Sequence, residues 1–599
     1  MSPSLGNTPQ RQDQKSQKVR HQIALCTDTY LPPSVDRCHN VRSPTNKEQT
    51  SAPLLRHWKT TTEPKTKPAF NSKRMTKTQA TLPALIEKST LEHQNNEAVD
   101  GTSYAELHDL TDRYVAGLTS TGISKGDAVC LFFASKSVHA VALALAIMRL
   151  GAAYVPLSST FPEERLSTQC RAIGSAVKLL LHGEDDVDRS RVEAVGGSLQ
   201  VPVGSIDSVR SEDRDTSDHS SWEDLALVLF TSGSTGSPKA TGYRHKQLVS
   251  ALEACATAFD MSSETRVCHV APFVWDVGNL DIFGPLLRGG AVCFAHDLSG
   301  PGIAQTVAEK KCTLMVSPSS LLQTIPIEAL AKLEILVSGG ESTSPAQFRE
   351  WSKQLGALSN TRLLNGYGLT ETGIANIAWE CPRDLPEDVT NIPLGTPFGD
   401  NIVTIDEHTK EIVISGPQVT EGYIGVKSTA FVAPPSVYSQ KHWTIRTGDV
   451  GWKDQDGLIY TKGRTDDRLS IFALRIEQAE TEAAALKVPE IDFAHLFVHE
   501  LGEGSAPSLV LAYHVADAPP NEGLLSGSQY AEHADTHERR LREQMERSMP
   551  EYQRPSAYVP LGSIPRTISQ KKDAKRIASL AAELHKCSLV EFAPFQLAF

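Results

Sequence analysis

An apolar run that leads directly into a loop rich in glycine and hydroxyl groups is the strongest constraint on how this chain folds. The run, Leu225–Phe230, is typical of a buried strand, and residues 231–239 read Thr-Ser-Gly-Ser-Thr-Gly-Ser-Pro-Lys. Glycines let backbone N–H groups approach phosphate oxygens, while hydroxyl groups and a lysine add donors and positive charge. Composition of this kind is also common in solvated turns. The phosphate interpretation predicts these ligand-binding residues: Thr231, Ser232, Gly233, Ser234, Thr235, Gly236 and Lys239.

The loop is not a P-loop, because no Gly-Lys-Ser/Thr ending follows its glycines. Another nucleotide-binding fold is therefore required. From Leu82 onward, helix-like and strand-like apolar patterns alternate at short spacing, which is typical of α/β layers with parallel strands. The patterns lie at Leu107–Leu118, Ala128–Phe133, Val138–Met148 and Ala291–Ala295.

Composition narrows the class of protein. The net charge of −12 and the lack of a basic stripe argue against a nucleic-acid partner. The ten cysteines show no Cys-x-x-Cys pair, which argues against a structural metal site. The segment Val138–Met148 is shorter than the roughly 20 apolar residues that cross a bilayer, so we expect a core helix that ends near Gly151 and no membrane partner.

Three regions follow from the composition. Residues 1–75 are polar and lack the apolar stretch of a secretory signal, so we expect a disordered extension and a cytoplasmic protein; a transit peptide is the alternative. We expect a large domain over residues 76–463 and a small one over residues 464–599.

Further motifs follow the loop. Residues 365–371 read Asn-Gly-Tyr-Gly-Leu-Thr-Glu, residues 446–449 read Arg-Thr-Gly-Asp, and residues 564–573 read Ile-Pro-Arg-Thr-Ile-Ser-Gln-Lys-Lys-Asp. With the loop, they resemble the adenylate-forming enzymes, a superfamily that includes nonribosomal peptide synthetase adenylation domains, acyl-CoA synthetases and luciferases. The resemblance extends from about Thr102 to about Asp573. It implies an α/β fold with a large N-terminal adenylation core of several subdomains, a small mobile α+β C-terminal domain, and an active site between them.

The resemblance also implies a reaction with ATP and Mg²⁺ and a role for each matching residue. Glu371 would hold Mg²⁺, Thr370 would contact phosphate, Tyr367 would pack on adenine, and Asp449 would accept hydrogen bonds from the ribose hydroxyls. Lys571 would be the catalytic lysine. The remaining positions are Gly340 and Glu341 beside adenine, Arg464 near the nucleotide, and Asp466 as the hinge.

The sequence departs from the family pattern in several places. Leu369 replaces the usual proline, and Ser569-Gln570 replaces Asn-Gly before Lys571, which leaves Lys572 as an alternative catalytic lysine. Ala473 replaces a glycine beside the incoming pantetheine thiol, so transfer to a thiol is less strongly implied than adenylation.

Residues 273–283 resemble the substrate-pocket helix of domains that activate amino acids. Asp276 falls where the family aspartate pairs with the α-ammonium group, and a buried carboxylate rejects substrates that lack this charge. We expect a large apolar or aromatic amino acid. The other expected pocket residues are Val277, Leu280, Met315, Val337, Gly339, Gly366 and Ile374.

No Gly-Gly-x-Ser carrier motif follows Asp573. We therefore expect a stand-alone adenylation enzyme of secondary-metabolite biosynthesis that passes the amino acid to a phosphopantetheine carrier protein in trans. An acyl-CoA or aryl-acid ligase of the same superfamily is one alternative. A catalytically degenerate nucleotide-binding relative is the other. The altered positions favour it, whereas the retained loop, Glu371, Asp449 and Lys571 argue against it.

Overall fold

The computed structural model describes ten segments of the chain, at residues 79–133, 136–183, 189–231, 238–434, 442–464, 469–471, 474–500, 507–516, 534–565 and 573–586. We call residues 79–464 the N-terminal part and residues 469–586 the C-terminal part. The predicted boundary at residues 463–464 adjoins residues 465–468, which are not described, and it stays a prediction. The expected extension over residues 1–75 also lies outside the described residues.

The largest described sheet has nine strands. Its central strands are parallel, as the alternating helix and strand patterns predict, and its outer strands are antiparallel. From one edge to the other the strands are Thr396–Pro397, Ile377–Glu380, Arg362–Tyr367, Ile335–Gly339, Leu314–Ser317, Arg266–His269, Ala291–Phe294, Glu97–Val99 and Thr102–Ser103.

A second sheet of the N-terminal part has six strands, and its last pair is antiparallel. The apolar run ahead of the glycine-rich loop is the strand Leu225–Thr231, which is paired with Lys239–Arg244 on the far side of the loop. In order across the sheet, the strands are Val203–Ser205, Val177–His182, Ala128–Phe133, Ala153–Ser158, Leu225–Thr231 and Lys239–Arg244.

Smaller sheets complete the described chain. An antiparallel sheet of the N-terminal part contains Ile402–Ile405, Glu411–Ser415, Thr444–Lys453, Phe431–Val432 and Ile459–Arg464. The C-terminal part has a hairpin and a three-stranded sheet, formed by Leu469–Ile471, Leu474–Ile476, Ile491–Glu500, Pro507–Val515 and Ala557–Leu561.

Helices cover the sheets, which places the main apolar core between layers. In the N-terminal part they are Leu82–His93, Tyr104–Ser120, Val138–Arg149, Glu163–Ile173, Arg189–Leu199, His245–Ala258, Asp276–Leu286, Gly300–Glu309, Ser319–Leu322, Ile327–Leu330 and Pro345–Leu358. In the C-terminal part they are Gln478–Ala485, Arg539–Ser548 and Ala574–Lys586.

The helix Val138–Arg149 shows why the local pattern was informative. The side chain of Ser137 accepts a hydrogen bond from the backbone N–H of Ala140, so the helix has a capped start. Every residue from Ala140 to Arg149 is buried, and Gly151 follows with a φ of 71°. No helix within the described segments is long and apolar enough to cross a membrane.

Candidate active site

A cavity opens at the carboxyl ends of neighbouring parallel strands in the nine-stranded sheet. Val316 and Gly339 line it near the ends of their strands, and Gly366 lines it one residue before its strand ends. Ligands commonly bind at this edge of an open α/β sheet, because the loops that follow parallel strands converge there. The sheet topology thus places the candidate site.

The helix Asp276–Leu286 forms another wall of the cavity. Its first residue, Asp276, lines the cavity and accepts a hydrogen bond from the backbone N–H of Val277 at 2.7 Å. The buried side chain of Asn279 donates to the carbonyls of Phe273 and Trp275 at 2.9 and 2.8 Å, which holds the segment before the helix. Gly278 is needed because a Cβ there would lie 2.1 Å from the Pro272 carbonyl oxygen. These contacts fix the direction in which Asp276 enters the cavity.

The remaining walls of the cavity are mostly apolar. Asp276 is the single charged side chain among the described lining residues. The structure brings together seven of the predicted pocket residues, which are Asp276, Val277, Leu280, Val337, Gly339, Gly366 and Ile374.

Met315 does not line this cavity, contrary to the expectation from the sequence. Its side chain is fully buried in a separate core with Leu336 and Phe348. Val316, the next residue of the strand, lines the cavity and pairs in register with Val337. Successive side chains of a strand point to opposite faces, so a one-residue error moves the expected residue into the other core.

Three of the residues that were predicted to bind the nucleotide also line this cavity. Thr231, Gly340 and Thr370 line it. Glu341 is not among the lining residues. Its carboxylate accepts hydrogen bonds from the Ser319 hydroxyl at 2.8 Å and from the Ser320 backbone N–H, so it caps the helix Ser319–Leu322.

The predicted ribose and adenine residues form one hydrogen-bonded cluster. The Tyr367 hydroxyl donates to Asp449 Oδ2 at 2.6 Å, and Arg464 Nη1 donates to Asp449 Oδ1 at 2.8 Å. Arg464 also donates to the Thr447 carbonyl at 3.1 Å. The Asp449 carboxylate is therefore held in one orientation, with acceptor positions remaining on both oxygens.

Glu371 lines a second cavity together with Arg464 of this cluster. It is 4% exposed, and its Oε1 accepts a hydrogen bond from the Tyr423 hydroxyl at 2.7 Å. Lys239 Nζ lies 5.2 Å from the centre of the Tyr423 ring, so the predicted phosphate lysine approaches the predicted metal ligand. Tyr423 lines the same second cavity.

Tyr243 is a buried tyrosine that is close enough to both predicted acids, Asp276 and Glu371, for their charges to affect its pKa. Burial raises the pKa of Tyr243 well above its usual range, and the charges of Asp276 and Glu371 add to the effect. The phenol therefore stays protonated and donates to the backbone carbonyl of Thr370. Sequence reasoning did not identify Tyr243, because nothing in the strand Lys239–Arg244 marks it as more than a core aromatic.

The side chains around Glu371 suit a Mg²⁺ ion that shares its ligands with substrate better than a metal ion held by protein ligands alone. Within the described segments, no group of three or more His, Cys, Asp and Glu side chains could hold a metal ion. Mg²⁺ is usually bound by one or two carboxylates together with substrate phosphates and water. The single buried carboxylate of Glu371, held by the Tyr423 hydroxyl, fits that arrangement.

Several predicted site residues fall outside the described residues, and their roles stay predictions. They are Ser232, Gly233, Ser234, Thr235, Gly236, Asp466 and Lys571, together with Lys572 and Ala473 from the alternatives.

Comparison with known proteins now identifies the class. A family model described as AMP-binding enzyme matches residues 83–424, more than half of the chain. The chain belongs to the AMP-binding enzyme family. This confirms the resemblance to the adenylate-forming superfamily that the motifs indicated.

Curated members of the family are much longer than the matched segment. Malformin synthetase from Aspergillus niger is 27% identical over 83% of this chain and 10% of that protein. Tyrocidine synthase 1 from Brevibacillus parabrevis is 27% identical over 79% of this chain and 42% of that protein. The chain thus spans about a tenth of the first of these relatives and less than half of the second.

Solved structures share the fold. An NRPS protein containing adenylation and PCP domains, bound to a vinylsulfonamide inhibitor, has a TM-score of 0.69 and 24% identity over 85% of this chain and 84% of that one. The amide bond synthetase from Marinactinospora thermotolerans has a TM-score of 0.69 and 20% identity over 84% of this chain and 99% of that one. The expected α/β architecture is confirmed. The division into a large N-terminal and a small C-terminal domain stays a prediction. Adenylate-forming enzymes use ATP and generally Mg²⁺.

Proposed function

We propose that this AMP-binding enzyme activates an α-amino acid with a large apolar or aromatic side chain, using ATP to form an aminoacyl adenylate and pyrophosphate. The observation that carries the proposal is the position of Asp276. Its carboxylate lies at the start of a helix on the wall of a cavity that is mostly apolar, and that cavity extends to Thr231 at the glycine-rich loop. A carboxylate in such surroundings favours a ligand with a positive charge.

The amino group is the positive charge that an amino acid brings to this site. An acid without an amine would bring no positive charge to the partly exposed carboxylate of Asp276, so it should bind less tightly than an amino acid. The side chain of the substrate would meet Val277, Val316, Val337 and Ile374. Since no described lining residue is cationic, an acidic side chain would find no partner there.

The proposed first step transfers AMP to the carboxylate. A carboxylate oxygen of the amino acid attacks the α-phosphorus of ATP, the bond from that phosphorus to the bridging oxygen breaks, and pyrophosphate leaves. Thr370 would donate to phosphate, and Asp449 would accept hydrogen bonds from the ribose hydroxyls. Lys571 would donate to the charge that develops on the carboxylate and phosphate oxygens, as the motif predicts.

Glu371 is the described residue that would hold Mg²⁺, with Tyr423 fixing its carboxylate through the 2.7 Å hydrogen bond. When bound, the ion would neutralise charge on the triphosphate.

The proposed second step passes the aminoacyl group to a phosphopantetheine thiol. The thiolate attacks the acyl carbon, the bond to the phosphate oxygen breaks, and AMP leaves. Support comes from the relatives, because one of the solved structures of this fold contains an adenylation domain and a PCP domain. That the carrier belongs to a separate chain stays a prediction.

The deciding test is ATP–pyrophosphate exchange by the purified protein with each proteinogenic amino acid, with benzoate and with medium-chain fatty acids. Exchange restricted to one or a few apolar or aromatic amino acids supports the proposal. Preference for an acidic or basic amino acid refutes the proposed side-chain class. Exchange restricted to acids without an amine points to an acyl or aryl ligase, and binding of ATP without any exchange points to the degenerate relative.

Two variants test the proposed roles of individual residues. Asp276→Asn should raise the KM for the amino acid on the order of a hundredfold, because the ammonium loses its ionic partner, and should leave the KM for ATP unchanged. Lys571→Ala should lower the exchange rate by about a hundredfold, as expected for one lost transition-state donor. Lys572→Ala is the matched control. A larger loss in that control would move the role to Lys572.

A further inference from the structure

A buried ion pair joins the C-terminal part to the N-terminal part near the cavity. Arg165, in the helix Glu163–Ile173, donates from Nη1 to Glu480 Oε1 at 2.6 Å. Glu480 belongs to the helix Gln478–Ala485 of the C-terminal part. The two side chains are 4% and 2% exposed, so both charges are withdrawn from water. Losing one partner of such a pair is costly, because the other charge stays buried and unpaired.

Tyr552 extends this contact to the cavity itself. Gln553, the next residue, donates from Nε2 to Glu480 Oε2 at 3.3 Å. The Tyr552 ring lies against Phe161, with 6.1 Å between ring centres. The Arg165 guanidinium in turn lies 5.4 Å from the centre of the Phe161 ring. The ion pair and the tyrosine are therefore parts of one packed unit.

Among the described lining residues of the cavity, Tyr552 alone comes from the C-terminal part. It lines the cavity together with Phe230 and Thr231, where the strand Leu225–Thr231 enters the glycine-rich loop. The acid and the α-phosphate would meet at this end of the cavity. A side chain at this position can contact the bound substrate and change its binding affinity.

We propose that Tyr552 covers the phosphate-loop end of the substrate cavity and that the Arg165–Glu480 pair holds it there. The proposal rests on the proposed function, since it names a residue that contacts the activated acid. It makes Tyr552 a substrate-contacting residue and Arg165 and Glu480 positioning residues. Because the acid would then contact both parts of the chain, binding of the acid and seating of the C-terminal part favour each other by the same factor.

An exposed ion pair at the same junction is a matched control. Lys487 Nζ lies 2.8 Å from Glu164 Oε1, and the two side chains are 53% and 43% exposed. Glu164 precedes Arg165 in the same helix, and Lys487 follows the helix that carries Glu480. Exposed pairs contribute little to stability, so loss of this pair should barely change the seating of the C-terminal part.

The first experiment compares Tyr552→Ala with Tyr552→Phe in ATP–pyrophosphate exchange, using the acid that the wild-type protein activates best. Removing the half-buried ring should raise the KM for that acid about tenfold, and the KM for ATP should change less than about twofold. Tyr552→Phe keeps the ring over the cavity and should stay within about twofold of wild type for both constants. An unchanged KM for the acid in Tyr552→Ala would overturn the proposal.

The second experiment needs no turnover. Hydrogen–deuterium exchange is compared for wild type, Glu480→Gln and Glu164→Gln over the helix Glu163–Ile173 and residues 551–553. Neutralising Glu480 leaves Arg165 as a buried, uncompensated charge, so exchange in both segments should rise together by about tenfold or more. Glu164→Gln should match wild type. Equal protection in Glu480→Gln and wild type would overturn the holding role of the pair.

The two experiments separate this inference from the proposed function. If the wild-type protein activates acids and the KM values of Tyr552→Ala are unchanged, the proposed role of Tyr552 is refuted and the proposed function is not affected. A wild-type protein that activates none of the acids refutes the function. In that case the hydrogen-exchange result on Glu480→Gln by itself upholds or overturns the held position of Tyr552.

Discussion

The substitution His245→Asn should make the free energy of unfolding less dependent on pH, and the surroundings of His245 give the expected size of the change. His245 is fully buried at the start of the helix His245–Ala258, and its Nδ1 accepts a hydrogen bond from the backbone N–H of Leu82 at 3.2 Å. That N–H belongs to the first turn of the helix Leu82–His93 and has no partner within its own helix. The imidazole thus joins two helices and has to be neutral to accept this bond.

Burial lowers the pKa of His245 to about 4. In the unfolded chain the side chain would titrate near its ordinary value of about 6.5, so between these values the unfolded state binds more protons. Stability is therefore lost as the pH falls from about 6.5 towards about 4. The full shift corresponds to roughly 3.4 kcal/mol, of which about 1.4 kcal/mol is already lost at about pH 5.5.

Asparagine is the informative replacement, because its side-chain oxygen can still accept from Leu82 but its amide does not titrate. Urea unfolding at about pH 8 and about pH 5.5, followed by tryptophan fluorescence, gives the loss of unfolding free energy for each protein. The wild-type loss should exceed the loss in His245→Asn by about 1.4 kcal/mol, and carboxylate titration common to both proteins cancels in that difference. Equal losses in the two proteins would show that His245 is not held neutral and would refute the reasoning.

The remaining predictions concern the nucleotide site and the core. Asp449→Asn should raise the KM for ATP about thirtyfold, because the ribose hydroxyls lose a charged acceptor; an unchanged KM in pyrophosphate exchange would exclude the ribose role. Tyr423→Phe should raise the Mg²⁺ concentration for half-maximal exchange by about threefold to tenfold, since the Glu371 carboxylate loses its 2.7 Å donor. A change in the KM for the amino acid alone would contradict that reasoning. Arg149→Met should lower the unfolding free energy by about 3–5 kcal/mol, because Asp112, 2.6 Å away and 5% exposed, loses its guanidinium partner and keeps only His108, 3.7 Å away. If urea unfolding shows a loss below about 1 kcal/mol, the Arg149–Asp112 pair contributes no more to stability than an exposed ion pair does, which would contradict the prediction.

Local patterns in the sequence were sufficient for the elements that carry the site. The apolar run before the glycine-rich loop is the strand Leu225–Thr231, and the apolar segment after Ser137 is a buried helix. The pattern of apolar residues predicts such elements, because a strand or helix buries either one face or all of its residues. Capping residues mark the ends of helices. The resemblance of the motifs then indicated the family, which the family match confirmed.

The prediction of Met315 failed for a reason that local pattern does not contain. Met315 and Val316 are both apolar, and the strand Leu314–Ser317 is buried on both faces. Only the neighbouring strand, in register at Val316 and Val337, shows which face borders the cavity. A strand with two apolar faces carries no alternation from which its orientation can be deduced.

What the sequence by itself determined is the order of the chemical groups: a glycine- and hydroxyl-rich loop after a strand, an acid at the start of a helix, and carboxylates and an arginine in the order of the family motifs. What only the tertiary structure decided is which side chains hold those groups. The Tyr423 hydroxyl reaches Glu371 across 52 residues, and Arg165 reaches Glu480 across 315. Contacts of that separation form when packed layers bring distant segments together, so neither partner carries a local signal of the other. The seating of Tyr552 at the cavity depends on such a contact.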